Sequence, residues 1–115
     1  MLGRIRKSWE FNKIYRRGRT VVSKNIVLYY CPNGLAYNRI GFSIRKKVGK
    51  SVVRNRIRRI YREVLRNMDK QLLQGYDFII IARKPSAGVS FADATKELYN
   101  FCRKARLHLN EQEKL

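Results

Sequence analysis

The residues best suited to chemistry in this sequence are a dense group of arginines and lysines in the middle of the chain. Between Arg45 and Arg66 there are ten basic residues and one acid, Glu63. Guanidinium groups bind phosphate through paired hydrogen bonds, whereas ammonium groups bind it as point charges. Basic side chains at this density predict a surface that binds a polyanion, and nucleic acid is the commonest polyanion.

The same segment has the period of an amphipathic α-helix, predicted over Ser51–Met68. The apolar residues recur every three or four positions on one side: Val53, Ile57, Ile60, Tyr61, Val64, Leu65 and Met68. The other side is polar and almost entirely basic: Arg54, Asn55, Arg58, Arg59, Arg62 and Arg66. Arg56 lies outside this group, toward one border of the helix. Like charges one turn apart cost an isolated helix about 0.2–0.5 kcal/mol per pair, which favours a phosphate-binding face over a merely solvated one.

Basic residues also lead into the start of this helix: Lys46, Lys47 and Lys50. The first backbone N–H groups of a helix have no partner within the helix, and they can receive a phosphate. We therefore expect the phosphate-binding face to continue onto the residues that precede Ser51.

A second basic segment, Arg4–Arg19, contains seven basic residues and one acid. Aromatic residues are interleaved with them: Trp9, Phe11 and Tyr15. Rings beside cations suit single-stranded nucleic acid, because bases stack on rings without regard to sequence. The spacing of Phe11 and Tyr15 also fits core residues that anchor a helix, and both interpretations stay open. Tyr29 and Tyr30 must point to opposite faces of a strand, so only one of them can face a core on a one-sided sheet.

Few residues in the chain could catalyse a reaction or bind a metal. His108 is the only histidine and there is no Cys-x-x-Cys pair, so we predict neither catalytic nor metal-binding residues. We expect Glu63 to pair with a nearby arginine, and Asp77 to bind backbone or an arginine. Cys31 and Cys102 lie in apolar runs and predict buried free thiols of a reducing cytoplasm, although a single disulfide stays open.

Composition limits the size and class of the protein. The 115 residues, of which 44% are hydrophobic, fit one domain over residues 1–115. The 27 basic and 8 acidic residues give a net charge of +19, which disfavours an enzyme for small neutral substrates. No apolar run approaches the length of a membrane span and no signal peptide is visible, so we expect a cytoplasmic protein without a membrane partner or a small-molecule substrate.

The remaining pattern predicts an α+β domain in which helices cover one face of a sheet, in two layers. We predict helices over Ser8–Arg17, with Ser8 as N-cap, and over about Ser90–Lys104. The predicted strands are Val21–Cys31, with a possible split at Ser23-Lys24-Asn25, Asn38–Ile44 and Tyr76–Ala82. The nearly continuous apolar run of the last strand is typical of a sheet centre. Residues 84–88 are predicted as a loop, and residues from about 106 to 115 as a frayed tail.

The central basic run resembles the protein subunit of bacterial ribonuclease P. The hallmark of that family is the Arg-Asn-Arg stretch, here Arg54-Asn55-Arg56, after the lead Lys46-Lys47-Val48-Gly49. Trp9-Glu10-Phe11, with Tyr15 and Gly18, is similar to the first helix of the family, and residues 75–83 are similar to its penultimate strand. The resemblance covers about residues 4 to 105. Departures from the family pattern are small: Ile5, Glu10, Arg45 and Ser51.

The resemblance implies an αβββαβα sandwich with a left-handed βαβ crossover around the Arg-rich helix. It implies that the partners are the catalytic RNA of ribonuclease P and precursor tRNA. That RNA, with bound Mg²⁺, cleaves off the 5′ leader, so the chain would be an RNA-binding subunit of the endoribonuclease that needs no cofactor of its own. Three residues would line a cleft for the single-stranded leader: Phe11, Tyr15 and Tyr29. Nine would face the catalytic RNA: Lys46, Lys47, Lys50, Arg54, Asn55, Arg56, Arg58, Arg59 and Arg62.

The residue patterns alone leave two other classes of function as alternatives. A structural ribosomal or duplex-DNA-binding protein could place the basic helix in a major groove. Recognition helices usually carry mixed polar readers, whereas this face is almost all arginine. A nuclease that acts without RNA would need a catalytic constellation that the sequence does not offer.

Overall fold

The computed structural model of the chain describes residues 1–109, which form an α+β fold of five strands and three α-helices. The strands are β1 (Leu2–Arg4), β2 (Arg19–Val22), β3 (Ile26–Pro32), β4 (Asn38–Ser43) and β5 (Tyr76–Ala82). The helices are α1 (Ser8–Arg17), α2 (Ser51–Met68) and α3 (Phe91–Lys104). The bounds of α2 and β5 are those predicted, and the predicted split between β2 and β3 is present. The short strand β1 was not predicted.

All five strands form one sheet in the order β1-β4-β5-β3-β2. The central strand β5 is parallel to β4 and antiparallel to β3, and Phe78, Ile79 and Ile80 in it are completely buried. This confirms the central position predicted from its apolar run. The connection through α2 joins two adjacent parallel strands, β4 and β5, as the resemblance implies. The left-handedness of that connection stays a prediction.

The prediction that helices cover only one face of the sheet is wrong, because helices pack on both faces, although unequally. Helices α2 and α3 pack on one face over the main core, into which Phe78 and Ile80 point. Helix α1 packs on the opposite face, where Ile14 meets Ile79 and Ile5 in a smaller cluster. Because α1 has only ten residues, it covers only part of that face. The half-buried strip beside it, formed by Phe11, Tyr15 and Tyr29, is called the cleft below.

One arginine fixes α1 to the sheet. Arg39 on β4 donates from Nε and Nη2 to the two carboxylate oxygens of Asp77 on β5, at 2.8 and 2.7 Å. Its Nη1 donates to Oε2 of Glu10 in the first turn of α1, at 2.7 Å. The hydrogen bond from Arg39 is the main reason that the pKa of Glu10 is lowered, and the Asp77 hydrogen bond is the main reason that the pKa of Arg39 is raised. The predicted arginine partner of Asp77 is therefore confirmed.

The start of α1 differs from the prediction. Lys7, rather than Ser8, is the N-cap, with an extended backbone whose carbonyl accepts from the N–H groups of Glu10 and Phe11 at 3.0 and 3.2 Å. The Glu10 carboxylate accepts from the Lys7 N–H at 3.4 Å. A glutamate at the third helical position can close the first turn in this way without a hydroxyl at the cap. Ser90 caps α3 as its sequence suggests, through its hydroxyl and the Asp93 N–H.

Residues 106–109 do not form the frayed tail that was predicted. Leu107 is buried, and its carbonyl accepts from the Leu73 N–H at 2.7 Å. The His108 ring is also buried, 4.5 Å from the Tyr99 ring between centroids. Apolar contact therefore holds this segment against α3, and the predicted fraying of residues 110–115 lies outside the described residues. Residues 84–88, predicted as a loop, form a short 3₁₀ turn.

The two cysteines are free thiols, as predicted, although only Cys102 is fully buried. Burial raises the pKa of the Cys102 thiol to about 12. Cys31 is half-buried on the face of the sheet that α1 covers. No helix among residues 1–109 is both long enough and apolar enough to cross a membrane.

Candidate nucleic-acid interface

Three aromatic side chains line the cleft between α1 and the sheet. Tyr15 on α1 meets Tyr29 on β3 edge to face, with ring centroids 5.0 Å apart, and Phe11 lies 6.4 Å from Tyr15. All three are half-buried, so each ring packs on the fold and still offers surface to solvent. The interpretation of Phe11 and Tyr15 as residues that anchor α1 is therefore confirmed, and stacking of bases on their exposed parts stays a prediction. Tyr30 points to the other face and packs on the main core.

The floor of the cleft depends on a glycine. A Cβ atom at Gly41 on β4 would lie 2.7 Å from Cζ of Phe11, closer than carbon atoms approach without a shift. Glycine at this position therefore lets the edge of the Phe11 ring approach β4 closely. This close approach keeps the ring low in the cleft.

A cationic pocket adjoins the cleft at the edge of the sheet. It measures about 430 Å³ and is lined by four arginines and by Phe11. The arginines come from the N-terminal segment and from α2: Arg4, Arg6, Arg58 and Arg62. Because Phe11 belongs to both, the cleft and this pocket are adjacent. That the two basic segments, Arg4–Arg19 and Arg45–Arg66, contribute arginines to one pocket was not predicted.

Arg62 is the most constrained member of the cationic pocket. Its guanidinium carbon lies 5.4 Å from the centroid of the Phe42 ring, and its buried Nε has no hydrogen-bond partner within residues 1–109. Burial, followed by the charges of Arg4, Arg58 and Arg66, lowers the pKa of Arg62. No acid of the described residues forms an ion pair with it. An oxyanion in the pocket would relieve both the missing hydrogen bond and the repulsion between like charges.

The basic side of α2 is gathered as predicted. Arg54 donates to the Gly49 carbonyl at 3.2 Å, and Arg58 donates to the side-chain oxygen of Asn55 at 2.8 Å. Arg59 is exposed. These bonds orient guanidinium groups without neutralising them. The one acid on this helix, Glu63, pairs with Arg66, which confirms its predicted arginine partner.

Arg56 lies on a different flank of α2 from the rest of this group. Its Nη2 donates to the Val89 carbonyl, ahead of α3, at 2.8 Å. The structure therefore separates it from Arg54 and Arg58, in agreement with its border position in the helical pattern. The three lysines before α2 are exposed, on the 3₁₀ turn and at the N-cap: Lys46, Lys47 and Lys50.

Lys47 also borders a further basic pocket at the end of β5. It measures about 340 Å³ and contains three more cations, Arg45, Arg83 and Lys84, beside Ile81. Arg83 and Lys84 were not predicted as site residues. Their place beside Lys47 depends on the pairing of β4 with β5, which no local pattern reveals.

Residues 2–106 match the family model for ribonuclease P. This chain belongs to the ribonuclease P protein family. It is 41% identical over 107 residues to the ribonuclease P protein component of Caldanaerobacter subterraneus subsp. tengcongensis, covering 93% of this chain and 92% of that protein. It is 44% identical over 106 residues to the component of Clostridium botulinum strain Loch Maree, covering 91% of this chain and 96% of that protein.

Solved ribonuclease P proteins have the same fold. The Staphylococcus aureus protein matches with a TM-score of 0.83 and 31% identity, over 91% of this chain and 96% of that chain. The Thermotoga maritima protein matches with a TM-score of 0.80 and 28% identity, over 88% of this chain and 96% of that chain. The α+β fold and the function expected from the resemblance are therefore confirmed. This ribonuclease P protein is a subunit of the holoenzyme that cleaves precursor tRNA, and its family implies an RNA partner.

The acids near the cleft are engaged within the fold. No three His, Cys, Asp or Glu side chains within residues 1–109 are grouped so that they could hold a metal ion. Glu10 and Asp77 are the acids nearest the cleft, and both are held by Arg39. The site offers rings and guanidinium groups, which bind and orient RNA.

Proposed function

We propose that this subunit binds two RNAs at once, the catalytic RNA of ribonuclease P and the 5′ leader of precursor tRNA. The observation that carries the proposal is that the aromatic cleft and the cationic pocket are adjacent and share Phe11. A single strand needs both surfaces, because its bases stack on rings while its phosphates require cations. The proposed site of action is the cytoplasm, where precursor tRNA is processed.

The leader occupies the cleft. Its bases stack on the exposed parts of Phe11, Tyr15 and Tyr29, and a phosphate beside them reaches Arg4 and Arg6 in the cationic pocket. Stacking on rings is indifferent to base identity, so leaders of different sequence are accepted. Mature tRNA lacks the leader and makes none of these contacts.

The catalytic RNA covers the basic side of α2 and the residues that lead into it. The residues assigned to this contact are Lys46, Lys47, Lys50, Arg54, Asn55, Arg58, Arg59 and Arg62. Arg56 contributes only at the border, because its guanidinium is directed toward Val89. Mg²⁺ bound by the RNA supplies the hydrolytic chemistry, while the protein offsets phosphate repulsion between the two RNAs and holds the leader.

Reconstitution tests this division of labour. Precursor tRNA is incubated with the protein alone, the catalytic RNA alone and the two together, each at low and at high Mg²⁺. We expect no cleavage by the protein alone, and the largest stimulation by the protein at low Mg²⁺, where fewer cations screen the RNA phosphates. Cleavage by the protein after complete removal of RNA would overturn the proposal.

A binding experiment tests the cleft separately. We expect the double variant Phe11→Ala with Tyr15→Ala to weaken the holoenzyme's binding of precursor tRNA and to leave its binding of mature tRNA unchanged. The variant Phe91→Ala is the matched control, since Phe91 is an exposed ring at the start of α3, away from the cleft. Equal losses for precursor and mature tRNA would remove the assignment of the cleft to the leader.

A further inference from the structure

A second space lies on the other flank of α1 and is not used by the cleft. It measures about 240 Å³ and is walled by Trp9 and Lys13 of α1 and by Cys31, Pro32 and Asn33 at the end of β3. Residues two positions apart on a helix are rotated by about 200° about its axis, so their side chains point to nearly opposite sides. Trp9 and Lys13 therefore point away from Phe11 and Tyr15, which line the cleft, and α1 separates the two spaces.

Trp9 is the most exposed aromatic residue of the described chain. Its side chain is 60% exposed, and within residues 1–109 the indole has no ring contact or hydrogen bond. Because Trp9 also lines the pocket, a face of its ring is available for a ligand to stack on.

The walls of this pocket suit an uncharged aromatic group. The two acids in the wall, Glu10 and Asp77, both accept from Arg39, and the charge of Lys13 at the rim offsets the remaining negative charge. The side chain of Asn33 is also satisfied, because it donates to Asp77 at 2.9 Å and accepts from the Leu35 N–H at 2.8 Å. The carboxylates of Glu10 and Asp77 and the amide of Asn33 are therefore already engaged within the protein, and stacking on the exposed indole is the main contact that the pocket offers a base.

The outer surface of α1 connects the cleft to this pocket. Trp9, Lys13, Arg16 and Arg17 are all exposed on it, and the one acid of the helix, Glu10, is turned toward the sheet. Lys13 and Arg17 follow Trp9 at intervals of four residues, which places them about 6 Å apart along the helix. An RNA strand that leaves the cleft across α1 thus meets cations first and the indole next.

We propose that the Trp9 pocket binds one base from the distal part of a long leader, beyond the nucleotides held in the cleft. This inference rests on the proposed binding of the leader in the cleft. Lys13 and Arg17 bind successive phosphates on one side of that base, and binding is independent of its identity. Leaders too short to cross α1 leave the pocket empty.

The holoenzyme provides a direct test because Trp9 is the only tryptophan of the chain and the RNAs contain none. Precursor tRNAs with leaders of increasing length are titrated while Trp9 fluorescence and the dissociation constant are measured. We expect the emission to be quenched, and the affinity to rise a second time, only above a threshold leader length. Trp9→Ala should lower the affinity for long-leader precursors about five-fold or more, and leave short-leader affinity unchanged.

Two controls separate the outcomes. Trp9→Phe retains a ring and should recover most of the long-leader affinity, whereas Phe91→Ala should have no effect.

If short-leader precursor binds better than mature tRNA but added length changes neither emission nor affinity, this inference fails and the cleft assignment survives. If short-leader precursor and mature tRNA bind equally, the cleft assignment itself fails. Quenching by the catalytic RNA alone, without further change on adding a long leader, would assign the pocket to that RNA and overturn the inference.

Discussion

Replacement of Tyr15 by alanine tests the cleft at its centre. The Tyr15 ring contacts Tyr29 edge to face at 5.0 Å and lies 6.4 Å from Phe11, so its removal opens the middle of the aromatic surface. Stacking of a base on an aromatic side chain contributes about 1–3 kcal/mol. The holoenzyme's affinity for precursor tRNA should therefore fall by roughly five- to 150-fold, since about 1.4 kcal/mol corresponds to a factor of ten.

The same substitution also affects the fold, and the two effects must be measured apart. An aromatic pair contributes about 0.5–1.5 kcal/mol beyond burial, so Tyr15→Ala should lower the free energy of unfolding by at least that amount. Tyr15→Phe keeps the ring and its contact with Tyr29. It should retain nearly wild-type stability and affinity, because the ring supplies both the contact with Tyr29 and the surface on which a base stacks.

The assay is the ratio of the dissociation constants for mature and precursor tRNA, measured with reconstituted holoenzyme at one ionic strength. Urea unfolding of each free variant gives its free energy of unfolding in water, and a positive value establishes that the protein is folded under the binding conditions. We expect the ratio to fall for Tyr15→Ala and to be retained for Tyr15→Phe. An unchanged ratio for a folded Tyr15→Ala protein would refute the reasoning, whatever happens to the absolute affinities.

Other substitutions test particular features of the fold. Gly41→Ala should displace the Phe11 ring, destabilise the protein by about 1–3 kcal/mol in urea unfolding and weaken precursor binding, because the added carbon would lie 2.7 Å from that ring. Glu10 has a lowered pKa, so its ion pair stabilises the folded state above its ordinary pKa, and that contribution is lost as the pH falls through the folded value. The difference in unfolding free energy between wild type and Glu10→Gln should therefore be largest near neutral pH and vanish in strong acid; a difference that grows on acidification would contradict this. Thiol reagents should modify half-buried Cys31 before Cys102, whose pKa is raised to about 12, and the reverse order, read by mass spectrometry of the modified peptides, would contradict the packing.

Helix α2 and strand β5 were predictable because their signals are local. The apolar period of three and four residues defines α2 over its whole length, and the uninterrupted apolar run of β5 indicates burial on both faces. The same helical pattern separates the basic side from Arg56. In each case the residues that determine the element are neighbours in sequence.

Features that depend on long-range pairing could not be predicted. Strand β1 has only three residues, too few for an alternation of apolar and polar residues to indicate a strand, and its partner β4 lies far along the chain. That pairing brings Arg4 to Arg62 and creates the cationic pocket. The contact of the Leu107 carbonyl with Leu73 likewise orders a segment whose own composition resembles a tail.

The Trp9 pocket is another feature that could be predicted only in part from the sequence. An aromatic residue among cations was visible in the sequence, but its exposure depends on which side of α1 meets the sheet. Ile14 at the centre of the buried side determines that orientation. The sequence therefore indicated the kind of ligand, whereas the separation of cleft and pocket required the structure.

The central claim is that the basic side of α2 binds RNA phosphates, and its salt dependence tests it most directly. The affinity of the protein for the catalytic RNA is measured over a range of salt concentrations for wild type, for Arg58→Gln with Arg59→Gln, and for Lys96→Gln with Lys104→Gln on exposed positions of α3. Each phosphate contact contributes about 0.7–0.9 to the slope of log affinity against log salt. We expect a steep wild-type slope that becomes shallower by about 1.4–1.8 in the α2 variant and is unchanged in the α3 variant. A nearly flat wild-type slope, or equal slopes for wild type and the α2 variant, would contradict it.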